Sequence, residues 1–433
     1  MRFRGYVRSD GTVGSRNYVA VIPSVVCVNE IVEAITSRTI ITRGIYHHQG
    51  CCQLPPDLAR VTDSLIKLGQ NPNVGAALVI SLGCEGVDTD RLVAEIAATG
   101  RPVERVNVQE IGGTAKAIQA GMDLAQKLAV KISGQERQDV DLASAIIGIK
   151  CGASDATSGL ASNVVIGYLA DRIVEAGGTV IFGETTEFIG AEHILARRAK
   201  TPEVAARIYE IVGRMEHRAK SMGVDMRSGQ PTPGNIKGGL TTIEEKSLGA
   251  IVKSGTKAIE GVLEYTEAPS GPGLWIKDTP GREIEVLTAM SIAGAQAMLF
   301  STGRGAPQGF PTAPVVKICG NPITYENMRG DMDVNETKLA NAVGARTCAP
   351  PPTRKSGRRA PSRGMPPRWA SAVCGWWWMT WSPPAPTWWR APTSPICTCA
   401  TSITGAITPP ALWRILWQPG QAMAARNAAN PCA

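Results

Sequence analysis

Histidine is scarce in this chain of 433 residues, four in all, and aromatic residues make up only 5% of it. No run of eighteen apolar residues occurs, which excludes a membrane-spanning helix of ordinary length. The opening Met1-Arg2-Phe3-Arg4-Gly5-Tyr6 lacks the apolar core of a signal peptide, so the expectation is a cytoplasmic protein. Neither a Walker A loop nor a His-Glu-x-x-His sequence is present. The glycines of residues 303–309 lack dinucleotide spacing and are interrupted by Pro307, so a nicotinamide site is not supported.

Carboxylates are missing from one end. From Asn341 to Ala433 there is no Asp or Glu, while ten Lys or Arg stand there, so the net charge of +8 comes from this tail. The tail also holds nine of the ten Trp and fifteen of the thirty Pro, with no periodicity of 2 or 3.6. Folded domains rarely lack acidic residues and disordered arms rarely carry so much Trp. Residues 341–433 therefore read as an irregular, non-native-looking tail, the product of a reading-frame change between about Glu336 and Gly344 or a disordered segment. The rival reading is a Trp-rich interaction tail, basic enough to suit nucleic acid.

Before the tail, apolar runs of strand length alternate with amphipathic stretches, the pattern of an α/β architecture with largely parallel sheets. Strands are expected at residues 18–23, 74–82, 143–149, 179–182 and 297–300. Helices are expected at 88–98, 114–130, 163–176 and 202–222, with a turn-rich stretch at 229–239. A polar connector at 131–141 divides two lobes, 1–135 and 136–340. Three strands run directly into reactive side chains: Cys84 and Glu85, Cys151, and Glu184. In open α/β sheets the carboxyl ends of strands form the ligand crevice, so these groups are expected to converge there.

Six cysteines precede the tail, and in a cytosolic chain of this size they are expected to be thiols. Residues 46–53 pack His47, His48, Cys51 and Cys52 into one short loop, where imidazole and thiolate suit Fe(II) or Zn(II). Cys84, Glu85 and Cys151 are further candidate ligands, either Cys84 or Glu85 serving on its strand. The loop 150–159, with Lys150, Ser154 and Asp155, suits a carboxylate or sulfonate, Asp155 being alternatively a helix cap. Glu184 is the candidate proton acceptor. Lys237 beside paired glycines and Arg304 between Gly303 and Gly305 are candidates for gripping the substrate. A cluster held by Cys51, Cys84 and Cys151 is a competing reading.

Several of these segments together, Gly14-x-Arg16-Asn17, His48-Gln49-Gly50-Cys51, Leu82-Gly83-Cys84-Glu85, Lys150-Cys151-Gly152-x-Ser154-Asp155, Gly183-Glu184, Asn235-x-x-Gly238-Gly239-Leu240-Thr241 and Thr302-Gly303-Arg304-Gly305, resemble the altronate dehydratase family of acid-sugar lyases. The resemblance spans residues 3 to 336, in order. It implies an Fe2+-dependent lyase, without NAD or pyridoxal phosphate, that performs β-elimination on a 2-hydroxy acid. It implies in addition a separate small subunit with a SAF domain, hence a hetero-oligomer; neither nucleic-acid nor membrane partners are expected, the first because the basic signal belongs to the tail and the second for want of an apolar span. Within the family, cleavage of (2R)-3-sulfolactate to pyruvate and sulfite is the first expectation and dehydration of altronate the alternative. Two departures stand out: Cys52 lies where a second glycine-like or small residue is common in the family, and the C-terminal portion does not resemble the family at all.

Overall fold

The computed structural model describes residues 1–332 and 422–424. Its strands are β1 Arg2–Val7, β2 Val13–Gly14, β3 Tyr18–Pro23, β4 Thr42–Gly44, β5 Val74–Ser81, β6 Val103–Asn107 and β7 Gln138–Asp141. These are followed by β8 Ile146–Gly152, β9 Thr179–Phe182, β10 Ile259–Leu263, β11 Gly273–Lys277, β12 Ala297–Thr302, β13 Val315–Cys319 and β14 Ala422–Ala424. Two of the three sheets are parallel throughout, in the orders β4-β3-β5-β6 and β10-β11-β9-β8-β12-β13-β14. The α/β fold with largely parallel sheets is thus present. β14 lies within the tail; the rest of residues 341–433, and with it the reading-frame and interaction-tail expectations, falls outside the described residues.

Burial explains the parallel order. All eight residues of β5 are buried, because helices cover both faces of its sheet. Helices Asn29–Thr36 and Thr114–Ser133 close one face with Ile31, Ile35, Ala125 and Leu128, and helices Pro55–Gly69 and Thr89–Ala97 close the other with Leu65, Ile66, Leu92 and Ile96. Each fully buried Leu or Ile contributes roughly 1.5–3 kcal/mol. The second sheet is covered likewise by helices Asn163–Glu175 and Pro202–Ser221 on one core and Glu283–Ile292 on another.

The connector is not a plain loop. Residues up to Ser133 finish a helix, and Gln138–Asp141 is a strand that pairs antiparallel with β1. Its alternation of charged residues hid it, since both of its faces stay largely exposed. Short β2 completes this third sheet.

Buried amides dock the lobes. Asn71 donates to the carbonyls of Ser291 and Ala295 at 2.8 and 3.2 Å, and Asn73 to those of Gln296 and Thr312 at 2.9 Å each. Gln296 donates back to the Val13 carbonyl at 2.6 Å, while Ile292 of the second lobe packs into the core of the first. These directional bonds between buried groups fix the angle between the lobes.

Candidate functional site

The strand ends create two polar regions, one per parallel sheet, with a cleft between the lobes. In the first lobe the loops after β3, β4 and β5 meet. The Glu85 carboxylate accepts from Ser24 Oγ at 2.7 Å and from the Gly83 N–H at 2.6 Å. Although burial alone would raise its pKa, those hydrogen bonds outweigh it and hold the group below the usual carboxylate range. His47 is fixed between the Pro23 carbonyl, 2.8 Å from Nε2, and the Gln49 N–H, 3.1 Å from Nδ1. Burial pushes its pKa down. His48, beside it, is exposed, with the Gln49 side-chain nitrogen 2.9 Å from its Nε2. Cys51, Cys52 and Cys84 are exposed.

In the second lobe the ends of β8 and β9 bury an ionic knot. Lys150 donates to Glu184 Oε1 at 2.8 Å, the Cys151 N–H donates to Glu184 Oε2 at 3.0 Å, and Lys253 stands 2.7 Å from the same oxygen. Both Lys150 and Glu184 side chains are 0% exposed. Lys246 and Lys253 reach Glu187 at 3.3 and 3.6 Å, and Lys150 reaches Glu283 at 3.6 Å. Three lysines thus face three glutamates. Burial opposes each charge, but the lysines outweigh it at Glu184, whose pKa is lowered, and the glutamates outweigh it at Lys150 and Lys253, whose pKa values are raised. A carboxylate so satisfied and so shielded is not a proton acceptor for an incoming substrate. The expected base is instead an ionic anchor, and its left-handed backbone, φ 75°, is held by a bond from its N–H to Thr279 Oγ1.

Cys151 is buried in this knot, its Sγ 2.9 Å from Ser154 Oγ and 3.6 Å from Asn163 Nδ2. Burial first, and then Glu187, pushes its pKa up, so it stays a thiol. It belongs to a different sheet from Cys51, Cys84, Glu85 and His48, so the single ligand set expected from the sequence is not assembled. Among the described residues no group of three or more His, Cys, Asp or Glu is arranged to hold a metal ion. The donors therefore do not fit a ready-made Fe2+ site, and the same separation removes the cluster reading through Cys51, Cys84 and Cys151.

Asp155 takes the capping role that the sequence offered as its alternative. Its oxygens accept from Thr157 Oγ1 at 2.6 Å and Asn321 Nδ2 at 2.8 Å, and it caps the turn through the Ser158 N–H. It ties its own loop to the one after β13. Gly303 is glycine for this reason, because a Cβ there would fall 2.0 Å from the Asp155 carboxylate. Ser154 is buried as well, its carbonyl accepting from Asn235. Only Lys237 and Arg304 of this group are exposed; the Arg304 N–H donates to the Ala153 carbonyl at 2.9 Å, which places it beside the same loops.

Between the lobes lies a cavity of about 1350 Å³. The first lobe lines it with His47, His48, Gln49, Gln53, Asp57 and Arg60, and the second with Arg214, Arg218, Asp278, Thr279, Arg282 and Gln308. Arg214 is neutralised by Glu264 and Asp278, and Arg282 by Glu285. Arg60 and Arg218 have exposed side chains without a partner among the described residues, as does Asp57. Thr279 links this wall to Glu184, so the knot supports the cleft from behind. The arginines carried no signal in the sequence, because they lie on the polar faces of ordinary helices.

Two lysines brace the same wall. Lys317 donates to the Gln308 carbonyl at 2.5 Å and stands 3.3 Å from the Phe300 ring centroid; Lys277 donates to the Glu264 and Glu267 carbonyls. Burial first, and then the Lys150 ammonium, pushes Lys317 down to about 6, and burial pushes Lys277 down to about 7. A base whose folded pKa is depressed costs stability as pH falls from its unfolded value near 10. Lys317→Met is therefore expected to raise folding stability at pH 7 by about 1–4 kcal/mol, a gain that shrinks toward pH 10. Thermal unfolding of both proteins at the two pH values checks this; an equal or lower midpoint for the variant at pH 7 contradicts it.

Residues 5–133 match the family model described as D-galactarate dehydratase/altronate hydrolase, second domain, and residues 142–347 the model of D-galactarate/altronate dehydratase, C-terminal. The chain is 39% identical over 337 residues to (2R)-sulfolactate sulfo-lyase subunit beta of Chromohalobacter salexigens, covering 77% of this chain and 85% of that protein. It is 32% identical over 348 residues to altronate dehydratase of Bacillus subtilis, with coverage of 78% and 69%, and 32% identical over 362 residues to galactarate dehydratase (L-threo-forming) of Escherichia coli, with coverage of 78% and 68%. With both family models in sequence order along it and such identity over most of a curated lyase subunit, the chain belongs to the D-galactarate/altronate dehydratase family of lyases.

Proposed function

We propose that this chain is the large catalytic subunit of a hetero-oligomeric lyase that cleaves (2R)-3-sulfolactate to pyruvate and sulfite in the interlobe cleft, beside a small SAF-domain subunit. The observation that carries the reading is the pair of unpartnered guanidiniums, Arg60 on one wall and Arg218 on the other. Sulfolactate is a short acid with an anion at each end, a carboxylate and a sulfonate, and guanidinium groups bind both through paired N–H donors. The 39% identity to a protein named for that cleavage supports it, and the word subunit in that name supports a second chain.

The reaction needs a base at C2, next to the carboxylate. His48 is the exposed imidazole of the cleft, and its Nε2, 2.9 Å from the Gln49 side-chain nitrogen, takes the C2 proton once the substrate displaces that contact. A guanidinium that holds the carboxylate keeps the C2–H bond beside the imidazole. The electron pair forms the C2–C3 double bond, the C–S pair leaves with sulfur as sulfite, and the enol becomes pyruvate. Asp57, a free carboxylate one turn from Arg60, favours a second reading, since it would accept hydrogen bonds from the hydroxyls of a sugar acid such as altronate.

Co-expression with a small-subunit candidate, followed by separate incubation with (2R)-3-sulfolactate and altronate, tests the choice. Equimolar sulfite and pyruvate from the first acid, with little turnover of the second, is the expected result. A ketodeoxy acid from altronate without sulfite release from sulfolactate overturns it.

A further inference from the structure

We propose that Cys51 and Cys52 are an oxidative modification site, a vicinal dithiol that closes to a disulfide when a hydroperoxide-class oxidant reaches the rim of the cleft. Their sulfurs stand 3.6 Å apart and both residues are exposed. The S–S bond needs about 2.05 Å, a difference that side-chain rotation and a small adjustment of the loop supply. Cys52 holds φ 55°, the left-handed region that glycine occupies without strain and other residues at a cost of about 1–2 kcal/mol. A second thiol thus stands where the backbone favours glycine, directly beside the first.

The loop around the pair is held in shape from both sides. Gly50, at φ 105°, has no room for a side chain, since a Cβ would lie 2.4 Å from the Ser24 carbonyl oxygen. Its N–H donates to Gln53 Oε1 at 2.8 Å, and Gln53 Nε2 donates to Gln49 Oε1 at 2.6 Å. Gln49, Gln53 and His48 line the cleft, so a ring formed at residues 51–52 pulls on its wall.

The chemistry balances. One thiolate attacks the terminal peroxide oxygen, the O–O bond breaks, and a sulfenic acid and water form; the second thiol then displaces hydroxide from that sulfur as water, closing the S–S bond. Two thiols are oxidised and one peroxide becomes two waters. A ring between neighbouring residues is strained and exposed, which makes it readily reduced by small thiols.

The test uses the full chain, reduced and then exposed to one equivalent of hydrogen peroxide, alkylated, digested and weighed. The expected product is a peptide in which Cys51 and Cys52 both escape alkylation, lighter by about 2 Da than its reduced form and restored by dithiothreitol. In Cys52→Gly, which suits the left-handed backbone, Cys51 should instead stop at a sulfenic acid that dimedone traps. A crosslink from Cys51 to Cys27 or Cys84, or sulfinic acids appearing separately on residues 51 and 52, overturns the proposal. The readout is mass rather than turnover, so it stands apart from the substrate assignment.

Discussion

Glu184→Ala should lose about 3–5 kcal/mol of folding stability, because it strips the shared counter-ion from Lys150 and Lys253 in a site without solvent. The three-against-three balance of the knot becomes three lysines against two glutamates, and the Cys151 N–H loses its acceptor as well. For a chain of this size that loss corresponds to a fall of roughly 3–6 °C in the unfolding midpoint. Glu184→Gln keeps an acceptor for the N–H and should lose less. The pH dependence has a fixed sign. The folded pKa of Glu184 is lowered by the lysines against the pull of burial, so its stabilisation is complete above the unfolded carboxylate value and disappears as pH falls through the folded one. The wild-type chain should lose stability below about pH 4, and the gap between it and Glu184→Ala should narrow there. A variant that melts within 2 °C of the wild type at pH 7 would show that the knot contributes no net stability.

The sequence made this knot half visible. Lys150 in IIGIKC and Lys317 in VVKIC each interrupt an otherwise apolar strand, and a charge inside a buried run signals a partnered or neutralised group. The strand-end rule placed Cys151 and Glu184 correctly in the topology, for both follow parallel strands of one sheet. What it could not supply is which sheet end shares space with which. Cys84 and Cys151 obey the same local pattern yet close two different sheets, and sequence spacing does not encode the angle at which lobes dock. That angle is set by Asn71, Asn73 and Gln296, polar residues whose partners lie more than two hundred positions away. Similarly, β6 and β7 escaped notice because strands with largely exposed, charged residues lack the apolar alternation on which the reading depends. At Asp155 the alternative of a cap, open in the sequence, is the one the structure shows: the Thr157 hydroxyl and the Ser158 N–H of this loop are spent on its carboxylate.

His48→Ala should lower kcat by about 10²–10⁴, the usual range for loss of a positioned general base. Its side chain is exposed and, among the described residues, its one hydrogen-bond contact is with the neighbouring Gln49, so the variant should fold with an unchanged melting midpoint. Arg218→Ala should act differently. An anionic end held equally before and during the reaction contributes to binding alone, so its loss should raise KM about tenfold or more and leave kcat within a few-fold. Arg60→Ala should match it if the two guanidiniums grip opposite ends of one acid. The split between kcat and KM is what separates the roles, because a merely structural wall residue would change both together with the melting midpoint. Steady-state measurements on sulfolactate, alongside Lys237→Ala and Arg304→Ala as comparison, decide where the substrate sits. Should the pair outside the cleft carry the large effects while His48 and Arg218 carry none, the reaction belongs at the carboxyl ends of β8 and β12 instead.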